Sequence, residues 1–527
     1  MKGISRRQFI KGTAAGAAIY LTRLDNAVAG RMGGGGGGTG GGGGTGGGGG
    51  DVTVIDPPVG APLAQPSVLT NETSEPGVFE VSVEARRAPV DINGTTANLL
   101  TYNGVSPGPA IRVRRGELLR MNFTNGLPRD GATNFLGHPK YVTNIHTHGL
   151  HVSPGDNMNG THSDNMMVVL EPGESAVYEY DTRLQPGGTF HFYHPHVHGS
   201  VADQMWAGMS APLIVEDEID ELAAYEEKVL VLKDIELAGS EPVPHDSMMD
   251  YMHGLEGDTV MVNGQVNPRC HIAPGQVQRW RVLNSCTARF FRLSLQNHSM
   301  YVVGTEGGLL DKPYRVTELL LSPGERVELL VKADQKSSSY KWLSLPYSRG
   351  GMSEQQQVTL MTLTYGGSRQ NQPIPSVVDT SAVRVQKDLS MLPRKQMTLS
   401  MGHGAGYING LTYVSHEDCY STHSRLDTWE VWEILNDSGM DHPFHHHTNS
   451  AQVLSITGGD SGYASLLMNS PAWKDVTIVP KWGKVELLMP VLDYAGMAMI
   501  HCHIIEHEDI GMMGVWHIMG EGGMGGM

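Results

Sequence analysis

The chain is expected to fold as an all-β protein of three consecutive β-sandwiches, on three observations. From about Val78 onward the sequence breaks into short runs rich in β-branched and aromatic residues, separated by Pro, Gly, Asn and Asp. That is the pattern of strands joined by turns. Helical periodicity is weak, apart from a short segment near 218–226. And one two-part pattern recurs three times along the 527 residues, a length that itself asks for more than one domain.

The N-terminus is set apart from this body. MKGISRRQFIKGTAAGAAIYLTRLDNAVAG places basic residues first, an apolar run from Thr13 to Leu21 next, and Ala27-Val28-Ala29 last. This is the order of a secretory signal over 1–29, cut after Ala29. Arg6-Arg7 followed by Phe9 resembles a twin-arginine signal, which implies export of a folded protein, to the periplasm first or into the medium. The apolar run is too short to span a bilayer, which argues against a membrane anchor. Residues 33–50 are glycine apart from Thr39 and Thr45, so 30–74 reads as a disordered linker and N-terminal lead.

The repeat gives the domains. Its first part is a strand ending in Asn: RGELLRMNFTN (115–125), GQVQRWRVLN (275–284) and DTWEVWEILN (427–436). Its second is a turn feeding a strand: EPGESAVYEYD (171–181), SPGERVELLVKAD (322–334) and PKWGKVELLMPVLD (480–493). Apolar and polar positions alternate, so one face is buried and one is wet. The expected domains are 75–218, 219–385 and 386–527.

The net charge of −17 makes a nucleic-acid role unlikely and suits neutral or cationic small partners. Of the four cysteines, Cys270 and Cys286 bracket a hairpin and could pair in an exported protein, and Cys419 has no evident role. Cys502 differs from these because histidines flank it.

Four His-X-His pairs carry the chemistry: His146/His148, His194/His196, His445/His447 and His501/His503. Chance would give roughly one such pair among 24 histidines, so four are informative. Residues two apart on a strand share a face about 7 Å apart, so each pair can offer two imidazoles to one metal cluster. Eight imidazoles suit three copper ions and exceed the four ligands of one zinc. By the same alternation Cys502 faces away from His501 and His503. With His442, His507 and Met512 it makes the two-His, one-Cys, distant-Met set of a blue-copper site. The bonded path from Cys502 to its neighbours would then wire one copper to the other three.

Those segments, above all HCHxxxHxxxxM near the C-terminus, resemble the four copper-binding motifs of the three-domain multicopper oxidases, the laccase-like and cuprous-oxidase group. The resemblance spans the chain after the leader. It implies cupredoxin-like Greek-key sandwiches, four copper ions per chain, O2 as acceptor, and a small reducing substrate such as a phenol or a metal ion. It implies type 1 copper on His442, Cys502, His507 and Met512. Type 2 falls to His146 and His445, and the type 3 pair to His148, His194, His196, His447, His501 and His503. The middle domain, lacking a pair, becomes a spacer that positions the other two. A monomer is expected, with no stable membrane insertion after signal cleavage.

Some positions depart from the family pattern. Thr147 stands where Trp is frequent, and His191 looks like an insertion before the second pair. His446 faces away by strand parity and is left out of the ligands. His151, His162 and His198 read as loop histidines. O2 reduction consumes protons, so Glu508 and Asp164 are acid candidates, with a structural hydrogen bond as the alternative for each. Asp441 could steer a cation or accept a substrate proton, or cap a turn. Met248, Met249 and Met252 with His245 and His253, and the trailing Met513, Met519, Met524 and Met527, could collect Cu(I) or simply fill space. Two other readings stay open: a copper-sequestering or electron-carrier protein without turnover, and a copper nitrite reductase. The sequence does not name the donor.

Overall fold

The computed structural model describes residues 52–217, 222–353 and 355–520. The signal, the Gly-rich tract, Met524 and Met527 lie outside them. Strands pair into six main sheets, two to each stretch of chain marked by the repeat. In the first stretch, one sheet runs Thr95–Tyr102, Val78–Ile92, Leu118–Gly126, Ser175–Asp181 and the other Ile111–Arg114, Ala211–Glu216, Thr189–His194, His146–His148. Val81, Leu119, Phe123, Tyr178, Val113 and Leu213 pack between them. In the middle stretch two six-stranded sheets enclose Trp280, Leu293, Trp342 and Leu360. In the third, two five-stranded sheets enclose Trp432, Ile434, Leu487 and Trp516.

The repeat has a structural cause. Each Asn-ending strand lies antiparallel to the strand after its turn: Leu118–Gly126 with Ser175–Asp181, Val277–Asn284 with Arg326–Lys332, Thr428–Asn436 with Lys484–Val491. The Asn side chain ties the unit shut. Nδ2 of Asn125, Asn284 and Asn436 donates to the carbonyl just before the turn, on Leu170, Leu321 and Val479, at 2.8, 3.1 and 3.0 Å. A buried carbonyl without a partner would cost about 1–3 kcal/mol, which explains an Asn at each of the three positions.

Several expectations need correction. The lead is not free throughout: Thr53–Ile55 adds a parallel strand to Gln356–Tyr365 of the middle sandwich. The helical segment near 218–226 falls partly outside the described residues, and 222–225 is a turn entering the strand Glu226–Ile235. Cys270 and Cys286 do not pair. All four thiols are free, Cys270 beside Gln278 Oε1 and Cys286 beside the Leu232 carbonyl. His191 is a regular strand residue, since Thr189–Tyr193 pairs with Ala211–Val215 in unbroken register. No helix among the described residues is long and apolar enough to cross a membrane.

Candidate metal centre

The His-X-His pairs sit at strand ends, not mid-strand as alternation alone suggested. His146 and His148 share the strand His146–His148, which pairs with Thr189–His194 so that His146 opposes His194. In the third sandwich His445 opposes His501. His196, His447 and His503 lie just past their strands, where the chain leaves the sheet. Cross-strand register, plus the meeting of the first and third sandwiches, brings the eight rings together. His148 stacks on His445 with centroids 3.7 Å apart, and His146 on His447 at 4.0 Å.

Hydrogen bonds decide which ring nitrogen faces inward. His146 Nδ1 lies 2.8 Å from Asp164 Oδ1, and His447 Nδ1 lies 3.1 Å from Asp164 Oδ2. His445 Nδ1 donates to the Asp475 carbonyl (2.9 Å), His194 Nδ1 to that of Pro195 (2.9 Å), and His501 Nδ1 to that of Cys502 (3.0 Å). His148 is reversed: its Nε2 lies 3.2 Å from Asp475 Oδ1, so its Nδ1 turns inward. With one nitrogen of each ring spent as a donor, the other carries a lone pair. His196 Nε2 and His501 Nε2 approach to 3.2 Å, and His194 Nε2 and His148 Nδ1 to 3.4 Å. The inner nitrogens of His146, His445 and His447 have no protein partner. Converging lone pairs with no proton between them suit cations.

Seven of the eight rings are held neutral. Burial, reinforced by neighbouring imidazoles, drives His146, His148, His445 and His503 well below the usual histidine range. Burial also holds His194, His196 and His501 at about 3. Metal would therefore meet free lone pairs without displacing protons at neutral pH.

Cys502 points the other way, as alternation requires. Its Sγ is 3.5 Å from His442 Nδ1 and 3.6 Å from His507 Nδ1, and the two nitrogens are 3.2 Å apart. The outer nitrogens are again spoken for. His442 Nε2 lies 2.8 Å from Ser438 Oγ, and His507 Nε2 lies 3.3 Å from the Met252 carbonyl. Ring nitrogens and thiol lie within 4.8 Å of one another. Met512 is buried, and its carbonyl accepts from Cys502 N. In the metal-free pocket burial pushes the Cys502 thiol up and both histidines down, His442 to about 3.

The acid candidates separate. Asp164 braces His146 against His447 across two sandwiches. Glu508 is buried behind the cluster, 3.1 Å from His501 Nδ1 and 3.5 Å from His196 Nδ1, and burial raises its carboxyl. Asp441 does not face solvent: Tyr347 Oη (2.6 Å) and Lys481 N (2.8 Å) take its two oxygens. That fits the turn-capping alternative. His446 donates Nδ1 to the Asn449 carbonyl (2.7 Å), away from the cluster. His151 ties Thr448 O to Asp493, His162 meets Asp156, and His198 packs on His138 and Tyr413.

The middle sandwich does more than separate the others, and its contribution escaped the sequence. Arg326 clamps Asp475 with two bonds of 2.7 and 2.6 Å and donates Nε to the Phe190 carbonyl (3.0 Å). One guanidinium thus links all three sandwiches behind His148. Gly324, at φ +80°, lies against the His503 ring, where a Cβ would come within 2.8 Å. Both residues lie in the repeat segment SPGERVELLVKAD, where the turn accounts for Gly324 and nothing local marks Arg326 as a cluster contact.

Three multicopper oxidase family models match this chain, over residues 84–220, 225–368 and 386–521. It is 26% identical over 459 residues to the multicopper oxidase mco of Staphylococcus aureus, covering 85% of this chain and 90% of that protein. It is 25% identical over 495 residues to a laccase of Bacillus subtilis strain 168, covering 84% and 94%. A solved multicopper oxidase from Campylobacter jejuni, described as a metallo-oxidase, superposes with a TM-score of 0.75 at 27% identity, covering 89% and 98%.

Proposed function

The chain belongs to the multicopper oxidases, and from that premise we propose that it oxidises a small donor one electron at a time at the Cys502 pocket and reduces O2 to water at the histidine cluster. Its membership makes it a copper-binding oxidoreductase that uses O2 and a reducing substrate. The single observation that carries the division of labour is the orientation of the rings. Six of the eight cluster histidines turn one nitrogen outward to a protein acceptor and the other inward. His442 and His507 do the same toward Cys502 Sγ.

Copper, when bound, supplies one-electron transfer in the cysteine pocket and multi-electron reduction of O2 in the cluster. His442, Cys502, His507 and Met512 would hold type 1 copper, and His146 with His445 type 2. His148, His194 and His503 would share one type 3 ion and His196, His447 and His501 the other, four ions in all. The protein's own part is threefold. Cys502 joins the sites through its bonds to His501 and His503, and its carbonyl also accepts from His501 Nδ1. Glu508, protonated more readily than an exposed glutamate, can hand protons inward. Asp164 and the Arg326–Asp475 clamp keep the rings aimed.

For the donor, a metal ion has specific support. Beside Gly351, Met440 Sδ and His253 Nδ1 lie 2.6 and 3.0 Å from the position a Cβ would take. Met248 and Met252 lie on the helix Met248–His253 that carries His253, and with Met401 pack against the apolar cluster around Tyr251 and Ile505. Thioether and imidazole suit Cu(I). The leader supports export to the periplasm by the twin-arginine route, and the monomer is proposed on the same footing.

The test is O2 uptake by copper-loaded protein with Cu(I) and with a phenol as donor. Uptake with either is expected. None with any donor, while copper stays bound, would favour the sequestering alternative, and nitrite consumption would favour the reductase.

A further inference from the structure

The three turns of the internal repeat are built alike except at one residue. Each closes with a backbone bond: Glu174 N to Glu171 O (2.9 Å), Glu325 N to Ser322 O (3.1 Å), Gly483 N to Pro480 O (2.8 Å). The third position of each turn is left-handed. Gly173 holds it at φ +96°, Gly324 at +80° and Trp482 at +55°. Glycine takes this conformation freely, whereas a bulky side chain there is strained. The fold recovers little from Trp482, which is 69% exposed and the sole exposed tryptophan among the described residues.

Its position is next to the Cys502 pocket. Trp482 N donates to Ser438 O (3.2 Å), and the indole Cζ2 lies 3.7 Å from where a Cβ would stand on Gly439. Ser438 Oγ lies 2.8 Å from His442 Nε2, and its hydroxyl donates to Asn436 Oδ1 (2.7 Å). Asp441 anchors the same turn through Lys481 N. His442 itself has no exposed surface, so no donor can touch the imidazole. The hydrogen-bonded way out from His442 runs through Ser438 to Trp482.

We propose that Trp482 is the docking plate for a planar aromatic donor, a neutral phenol or aromatic amine stacked on the exposed indole. This rests on the donor-oxidising role of the Cys502 pocket given above. The stacked phenol gives up one electron and its hydroxyl proton, leaving as a phenoxyl radical. The proton goes to solvent, and the electron would pass by way of Ser438 and His442 to a Cu(II) held by His442, Cys502 and His507, with O2 as the final acceptor. Trp482 bridges this path without being oxidised. Planar rings gain from stacking, and a spherical metal ion does not. The plate is therefore selective by shape, although it and the Met440–His253 corner flank the same turn, Ser438 to Met440.

Trp482→Gly and Trp482→Phe test this, since glycine is what the two sister turns carry. Both are compared with the unmodified enzyme using 2,6-dimethoxyphenol and Cu(I), by O2 uptake and by anaerobic bleaching of the blue band. Trp482→Gly should lower kcat/KM for the phenol on the order of tenfold, chiefly through KM, as expected for one lost stacking contact with its buried area. Trp482→Phe should restore most of it. The Cu(I) rate, copper content and blue band should not change. Phenol efficiency within twofold of normal in Trp482→Gly would overturn the proposal, and so would an equal loss with Cu(I). Absence of O2 uptake by the unmodified enzyme would instead count against the oxidase reading, because anaerobic bleaching by the phenol reports on the plate alone.

Discussion

The histidine cluster and the cysteine pocket are built in opposite ways. The cluster draws His146, His148, His194 and His196 from the first sandwich and His445, His447, His501 and His503 from the third. The middle sandwich braces it through Arg326 and Gly324. The pocket takes His442, Cys502, His507 and Met512 from the third sandwich alone, with one bond from outside it, to the Met252 carbonyl. One site exists only when three sandwiches are packed together. The other is a local feature of one sheet end and the helix Ile505–Asp509. Changes at domain contacts should therefore damage the cluster and spare the pocket, and changes at Cys502 should do the reverse.

The largest expected effect is that of Cys502→Ser. Turnover should fall to background and the blue band should vanish, while about three of four coppers stay bound. Absorption spectra with metal analysis check this, and a retained blue band would remove Cys502 from the site. Next comes Glu508→Gln, which keeps the shape and removes the acid. O2 reduction should slow about 10²- to 10⁴-fold, the usual worth of a positioned general acid, while anaerobic reduction of the pocket by donor keeps its rate in stopped flow. Arg326→Ala should separate the two sites most cleanly. It leaves Asp475 buried without its partner, a loss of about 3–5 kcal/mol for a broken buried pair. Denaturant unfolding of copper-free protein should show that loss, and the copper-loaded variant should stay blue with reduced cluster copper.

How far the sequence reached follows the same division. The pocket was legible because its ligands crowd into HCHIIEHEDIGMM plus His442, and alternation along one strand separates Cys502 from His501. The imidazole partners of the cluster were legible from the four pairs, though not their placement at strand ends. What keeps them in position was not legible. Asp475 and Arg326 are 149 residues apart and meet only through domain packing, which no local spacing records. Likewise the place of Asp441 before His442 left a substrate group and a turn cap equally open, and the partners that favour the cap, Tyr347, 94 residues away, and the turn at Lys481, are beyond local spacing.

The smallest effect concerns pH. Among the metal-facing histidines, His194, His196, His442 and His501 titrate near 3 when folded, and His146, His148, His445, His503 and His507 well below 6.5. The unfolded chain therefore takes up protons first as pH falls. Stability present above 6.5 is lost progressively toward 3. The Tm of copper-free protein should decline over that window, and copper, which binds only the neutral rings, should blunt the decline. A flat profile would mean that the cluster rings are not neutral and buried together.

The central claim is that one chain joins a cysteine pocket to a three-metal histidine cluster. Copper per chain, measured in fully loaded protein and in Cys502→Ser side by side, tests it most directly. The account predicts about four ions in the first and about three in the second, the ligand count dividing them so. One or two ions in the fully loaded protein, or equal content in both, would contradict it.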